Sequence, residues 1–381
     1  MLIGGYAMKE RKLRIFHTAD VHLDTPFSRL DLRRGEARRN DLRATFTAMM
    51  LYARRMEADI VLIAGDLFDD GSATNQTVSL MCREFESNKN CKFFISPGNH
   101  DPYTEKSIYA SGKLPENVFV FKDTSLSRFE LADLGADVYG WAFTSPSLTE
   151  NPLANAELED NGRTKILCAH CDTQSPISRY CPVNEGDIVR AGFDYAALGH
   201  IHKKGEIKEM NGTYYGYSGA PEGRSFDECG TLGAFLVDIG YGGECECTFV
   251  PFSRRRYEIA KCDLTGCVDK ESAKERVKAL IDANKYGADT ILRLILTGSV
   301  APDISLSDIC EDIKLFDVDI RDNTLPTFDG DKLERDITLR GALYRTLLPE
   351  LCAADEETRQ IAADALRYGL AVLDGTVPDE L

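Results

Sequence analysis

Five short apolar runs along the chain share one kind of ending. Leu13-Arg-Ile-Phe-His-Thr-Ala leads into Asp20-Val-His22, and Asp59-Ile-Val-Leu-Ile-Ala leads into Gly65-Asp66-Leu-Phe-Asp69. Cys91-Lys-Phe-Phe-Ile-Ser-Pro precedes Gly98-Asn99-His100-Asp101, Lys165-Ile-Leu-Cys-Ala precedes His170, and Phe193-Asp-Tyr-Ala-Ala-Leu precedes Gly199-His200-Ile-His202. Each run is β-branched or aromatic in character and closed by glycine or polar residues, which predicts a buried strand. Helical spacing lies between the early runs, as over residues 40–56. Strands alternating with helices predict an α/β domain, and in such sheets functional groups gather on the loops just past the strand ends.

Beyond residue 250 the pattern predicts a strand over 257–263, a helix over 272–284, a strand over 290–300, a helix over 306–316 and a strand over 317–321. Residues 331–373 read as two helices broken at Pro349, with Leu333, Ile337, Leu343, Leu347 and Leu348 followed by Ile361, Leu366, Leu370 and Leu373. Those apolar positions either pack onto the chain's own core or present a docking surface. The expected organisation is a first domain over 1–253, a small α/β domain over 254–325 and a helical segment over 326–381.

The 381 residues are 43% hydrophobic and 28% charged, an ordinary soluble composition. No stretch approaches the roughly 20 apolar residues of a membrane span, and residues 1–12 hold no signal-peptide pattern. The 12 cysteines are scattered, so thiols in a reducing cytoplasm are expected. Cys168-x-x-Cys171 and Cys245-x-Cys247 have no second pair at zinc-ribbon spacing. A formal charge of −17 argues against a chain that coats nucleic acid, but the charge is uneven. Residues 1–60 hold 12 Lys/Arg against 8 Asp/Glu, and residues 301–381 hold 8 against 19. Arg29, Arg33, Arg34, Arg38, Arg39 and Arg43, and a second knot at Arg254, Arg255 and Arg256, read as solvated faces or as a phosphate-backbone track.

The five strand ends supply Asp20, His22, Asp66, Asn99, His170, His200 and His202, all oxygen or nitrogen donors. Seven such donors suit two divalent ions sharing one carboxylate. Asp20 and His22, like His200 and His202, are two residues apart and can aim at one side of an extended segment. Five of the six histidines fall in these motifs, and His17, on the first run, reads as a core histidine.

This series resembles the calcineurin-like metallophosphoesterases and, within them, the SbcD branch of DNA repair nucleases together with YhaO-like bacterial proteins. The closer likeness rests on His17-Thr-Ala-Asp-Val-His-Leu-Asp24, Ala197-Leu-Gly-His-Ile-His-Lys203 and Tyr217-Ser-Gly-Ala-Pro-Glu-Gly-Arg-Ser-Phe-Asp-Glu228. It implies an α/β/β/α metallophosphoesterase sandwich, a small α/β capping domain and C-terminal helices. It also implies one metal on Asp20, His22, Asp66 and His202, and a second on Asp66, Asn99, His170 and His200. His100 would contact the substrate or leaving group, oriented by Asp101. Many nucleases of this branch carry a second substrate-contacting histidine where this chain has Asp69, which could instead accept a hydrogen bond from a ligand histidine.

The resemblance implies metal-dependent exonuclease chemistry on DNA, with endonuclease activity as an extension, a coiled-coil SbcC-like ATPase as partner, and a homodimer. Mixed O/N ligation suits Mn²⁺ best, with Zn²⁺ and Fe²⁺ as alternatives. Two other functional readings stand beside it: a phosphoesterase for nucleotides or other small phosphodiesters, and a weakly catalytic scaffold that binds DNA or the ATPase.

Overall fold

The computed structural model describes residues 12–70, 73–240, 243–300, 306 and 308–375. By its internal contacts the chain divides into two compact units, Met1–Arg255 and Arg256–Leu381.

The first unit is built from strands β1 (Leu13–Thr18), β2 (Ile60–Ile63), β3 (Lys92–Ile95), β4 (Val118–Val120), β5 (Ser127–Leu131) and β6 (Ala136–Gly140). Six more follow: β7 (Thr164–His170), β8 (Tyr195–Gly199), β9 (Lys208–Met210), β10 (Thr213–Tyr217), β11 (Gly233–Ile239) and β12 (Cys245–Pro251). Among the described residues they form two six-stranded sheets, ordered β12-β11-β1-β2-β3-β4 and β5-β6-β7-β8-β10-β9. β1 to β4 are mutually parallel, as are β6, β7, β8 and β10, and antiparallel strands lie at the sheet margins.

Alternate residues of each strand enter different cores. Ile15, Ile60, Leu62 and Phe94 face Val138, Ile166, Tyr195 and Ala197 between the two sheets. Phe16, Val61, Ile63 and Phe93 pack on the opposite face against helices α1 (Leu32–Arg55) and α2 (Asn75–Glu86). On the outer face of the second sheet, Leu167, Ala169, Ala196 and Leu198 pack against Trp141, Phe143 and helix α3 (Glu185–Ala191). The layering is α/β/β/α. A strand covered on both faces needs apolar residues at every position, which is why Ile60–Ile63 read as one unbroken run. His17 lies in this core, with Nδ1 2.8 Å from the Tyr195 hydroxyl and Nε2 3.2 Å from the Leu198 carbonyl.

Helix α1 begins eight residues before the predicted stretch. Asp31 caps it, its carboxylate accepting from the Arg34 amide at 2.9 Å. The apolar pattern hides this start because the buried face is partly ionic, running through Gly35, Arg38, Asp41, Leu42, Arg43, Thr45, Phe46 and Met49.

Neither a solvated face nor a phosphate track describes the arginines of that face. Arg38 is fully buried and donates to Asp41 at 2.8 Å, to Glu222 at 3.0 Å and to the Gly223 carbonyl at 2.6 Å. Arg43 pairs with Asp24 at 3.0 Å. The second knot meets the same network, since Arg255 Nε donates to Asp41 at 3.0 Å, and the Arg254 and Arg255 amides donate to Glu222 at 2.6 and 3.1 Å. Arg38, Arg254 and Arg255 thus meet in one internal ion network tying α1 to residues 222–255.

The second unit contains β13 (Arg256–Asp263), β14 (Thr290–Thr297) and β16 (Asp317–Asp322) in a parallel three-stranded sheet among the described residues. Helix α4 (Lys270–Ala283) covers it, packing Ala273, Val277 and Ile281 against Leu292, Leu294 and Leu296. A short parallel pair joins β15 (Ser299–Val300) to β17 (Leu325–Pro326). The helix predicted over 306–316 does not form in its described part. Turns spanning three residues, from Ile309 to Leu306, Glu311 to Asp308 and Ile313 to Cys310, place Leu306, Ile309 and Cys310 in the core instead.

Three helices follow where two were expected: α5 (Gly330–Arg335), α6 (Leu339–Leu351) and α7 (Glu356–Leu373). Pro349 lies inside α6, near its C-terminal end, and the break comes at residues 352–355. Leu333, Leu366 and Leu370 form a small core with Leu343, Tyr344 and Leu347, whereas Ile337, Leu339 and Ile361 are exposed. Among the described residues no helix is long and apolar enough to cross a membrane.

Removing one partner of a buried ion pair strands the other charge, so Glu222→Ala should cost about 3–5 kcal/mol in denaturant unfolding; a loss below about 1 kcal/mol would show the network to be dispensable. Burial depresses the His17 pKa from 6.5 to about 4. Between those values the unfolded chain binds a proton that the folded chain refuses, so stability falls as pH drops from about 6.5 toward 4. His17→Gln should flatten that slope relative to wild type in urea melts at pH 7 and pH 5, with both proteins chelator-treated.

Candidate metal centre

The motif residues sit at or just past the C-terminal ends of β1, β2, β3, β7 and β8, with His170 the last residue of β7. The loops after β1 and β2 run side by side, with the Asp20 amide donating to the Gly65 carbonyl at 3.0 Å and the His22 amide to the Asp66 carbonyl at 3.0 Å. Asp20, His22, Asp66 and His200 all have φ between 48° and 109°, the left-handed region that costs a non-glycine residue about 1–3 kcal/mol. Such strain persists where the surroundings over-determine it. Gly98 is required by the same crowding, because a Cβ there would run into the Asp66 carboxylate and its backbone amide.

Asp20, His22, Asp66 and His202 each offer one donor atom within 4.8 Å of the others, and none of the four is exposed. His22 Nε2 and His202 Nε2 are 3.2 Å apart, with Asp66 Oδ2 3.7 Å from the former and Asp20 Oδ1 3.9 Å from the latter. A carboxylate stands at the other nitrogen of each ring. His202 Nδ1 donates to Glu228 Oε1 at 2.7 Å, and His22 Nδ1 stands 3.1 Å from Asp69 Oδ1 without hydrogen-bond alignment. A proton on His202 Nδ1 leaves its Nε2 lone pair turned toward His22 Nε2 beside two carboxylates, a donor set that fits a cation.

Around Asp66 a further set gathers. Asp66 Oδ2 is 3.4 Å from His170 Nε2, which is 3.0 Å from Asn99 Oδ1. His170 Nδ1 donates to the Ala64 carbonyl at 3.0 Å, so its Nε2 lone pair also faces the acceptor oxygens. The His200 ring packs edge-on to His170 with centroids 5.3 Å apart, and its backbone amide donates to both Asp20 oxygens at 3.1 Å. All seven sequence-predicted donors thus lie in one neighbourhood, and Asp66 belongs to both groups.

A family model for the calcineurin-like phosphoesterases matches residues 13–204, half of the chain. The chain belongs to that family. It is 27% identical over 298 residues to the uncharacterized metallophosphoesterase YhaO of Bacillus subtilis, covering 75% of this chain and 72% of that one. It is 24% identical over 388 residues to the DNA double-strand break repair protein Mre11 of Methanopyrus kandleri, covering 93% and 82%. It is 25% identical over 299 residues to the SbcD component of the nuclease SbcCD of Staphylococcus epidermidis, covering 70% and 75%. A metallophosphoesterase fold with grouped donors for divalent metal accounts for the architecture and the site together.

Within this phosphoesterase, the residues beyond the donors fall differently from expectation. Asp101 does not orient His100. It is buried and accepts from the Leu67, Phe68 and Gly98 amides at 2.8, 3.1 and 2.8 Å and from the Tyr109 hydroxyl at 2.5 Å, fastening the loop after β3 to the loop after β2. Burial, with Asp66 nearby, pushes the Asp101 carboxyl pKa up. His100 is held by Asp69, whose backbone carbonyl lies 2.7 Å from His100 Nδ1. The Asp69 carboxylate faces His22 and receives Arg224 Nη1 at 2.8 Å.

Sequence reasoning missed Arg224 and Glu228 as site residues. Both stand in the motif running from Tyr217 to Glu228, past the matched segment, and likeness to relatives is the one signal that marks it. Burial opposes charge on Glu228, yet the His202 hydrogen bond and Arg224 hold its pKa below the usual carboxylate value. Burial drives the His22 pKa well down and that of His200 to about 4, so both rings are neutral near pH 7. Burial opposes protonation of His202 too, but Glu228 and Asp20 outweigh it and raise its pKa.

Asp66→Asn should lower bound metal in elemental analysis of protein purified without chelators, because Asp66 serves both donor groups. Two full equivalents in that variant would contradict its shared position.

Proposed function

We propose that the chain is a metal-dependent nuclease that hydrolyses DNA phosphodiesters. The observation that carries the reading is the pair of donor groups sharing Asp66, with His100 at the open edge. Asp20, His22, Asp66 and His202 would hold one divalent ion, and Asp66, Asn99, His170 and His200 the other. Mixed oxygen and neutral nitrogen donors favour Mn²⁺, with Zn²⁺ or Fe²⁺ as substitutes. When bound, such a pair supplies a water of lowered pKa and electrostatic cover for the phosphate oxygens.

The chain's own residues do the rest. Asp20 and Asp66 offset only about half of the roughly +4 charge of two divalent ions, so the site attracts an anionic diester although the chain is acidic. Water oxygen bonds to phosphorus, one ester P–O bond breaks, and the leaving oxygen takes a proton. His100 is suited to deliver it. Its side chain is 43% exposed, and the Asp69 carbonyl accepts from Nδ1, so the protonated ring presents Nε2–H to the leaving oxygen and is left neutral once that proton is transferred.

The choice of DNA is supported by the Mre11 relative, a double-strand break repair protein, by the SbcCD relative, a nuclease, and by the motifs around His17 and His200. Arg38, Arg43 and Arg255 lend it nothing, since they serve the internal network. We assign the unit Arg256–Leu381 as the cap and partner-binding part, with its exposed Ile337, Leu339 and Ile361 offered to a coiled-coil ATPase.

Purified protein with Mn²⁺ should cleave labelled linear DNA and bis-p-nitrophenyl phosphate. Cleavage of the small ester with DNA left intact, even with the ATPase present, would replace the nuclease reading by a small-phosphodiester one. His100→Asn should keep both metals and lose turnover by about 10²–10⁴-fold, and an unchanged rate would leave His100 without a role in proton transfer.

A further inference from the structure

Asp69 stands 3.1 Å from His22 Nδ1, and the fold brings it a cation from another part of the chain. Arg224, 155 positions away, donates Nη1 to Asp69 Oδ1 at 2.8 Å. Its Nη2 lies 3.4 Å from Glu228 Oε1 and 3.1 Å from His202 Nδ1, and its backbone amide donates to Glu228 Oε2 at 2.6 Å. The side chain is 15% exposed, Asp69 19% and Glu228 4%. One planar guanidinium therefore spans two carboxylates, and each of those stands behind one ring of the facing pair: Asp69 3.1 Å from His22 Nδ1, Glu228 2.7 Å from His202 Nδ1.

We propose that Arg224 is a positioning residue of the metal centre, clamping Asp69 and Glu228 so that His22 and His202 hold their Nε2 atoms toward one metal position and set its affinity. This rests on the reading of the site as a two-metal phosphoesterase centre. The clamp acts through the rings of His22 and His202, so its effect is confined to the position made by Asp20, His22, Asp66 and His202. A guanidinium is needed because its rigid fork reaches two acceptors at once, which the point charge of lysine does not. Asp69 and Arg224 also belong together. Histidine at position 69 beside Arg224 would set two cation-forming groups side by side and remove the guanidinium's 2.8 Å acceptor.

The test is Mn²⁺ binding by the full-length chain after chelator treatment, followed by calorimetric titration and elemental analysis, with no substrate present. Wild type should take up two equivalents. Arg224→Gln should weaken one position by about 10–100-fold, the usual effect of removing an outer partner of a ligand histidine, and leave the other unchanged. Arg224→Lys, which keeps the charge, should fall between wild type and Arg224→Gln. Asp69→Asn combined with Arg224→Gln should be no worse than the more damaging single change, because the two act as one unit.

Two unchanged affinities in Arg224→Gln would overturn the proposal. So would equal weakening of both positions together with a lowered unfolding midpoint of the metal-free protein, which would make the pair a general structural brace. A wild-type chain that binds no Mn²⁺ would overturn the two-metal reading itself. Normal wild-type binding beside an unaffected Arg224→Gln would remove the clamp alone.

Discussion

His22 and His202 hold their Nε2 atoms 3.2 Å apart, and two carboxylates stand close by. Two imidazole nitrogens at that separation need a proton or a cation between them. The surrounding architecture holds that meeting in place. The loops carrying Asp20, His22, Asp66 and His200 adopt left-handed backbone, Gly98 leaves space for the Asp66 carboxylate, and buried Asp101 fastens two of the loops through amide hydrogen bonds. Strain of this kind needs a rigid scaffold, which the doubly covered sheets provide.

Charge in this molecule is local. Arg38 of α1 and Arg254 and Arg255 meet Asp41 and Glu222 inside the first unit, while the excess of acidic residues lies in residues 301–381. A net charge of −17 therefore describes neither the site nor the core. The same economy appears at the site edge, where Arg224 answers both Asp69 and Glu228.

Much of the first unit is legible from local pattern. All five apolar runs are strands, because a strand buried on both faces must be apolar throughout and must end where polar residues begin. Helix α1 is only half visible, since Arg38, Asp41 and Arg43 occupy core-facing positions that a hydrophobic pattern expects to be apolar. The turns around Ile309 read as a helix because turns three residues long bury the same positions as a short helix. Pro349 reads as a break, yet a proline near a helix C-terminus removes only one of the last hydrogen bonds.

The sequence by itself determined which chemistry is available and where along the chain it lies: carboxylates, an amide and imidazoles placed just after strands. That information is local, because strand endings and donor types are both written in neighbouring residues. Only the tertiary structure decided which groups face one another. Asp101 turned to backbone amides and away from His100, Asp69 took Arg224 from 155 residues away, and Arg38 took Glu222 from 184 residues away. Pairings at such separations follow from how two sheets and their helices pack, and no short window of sequence contains them.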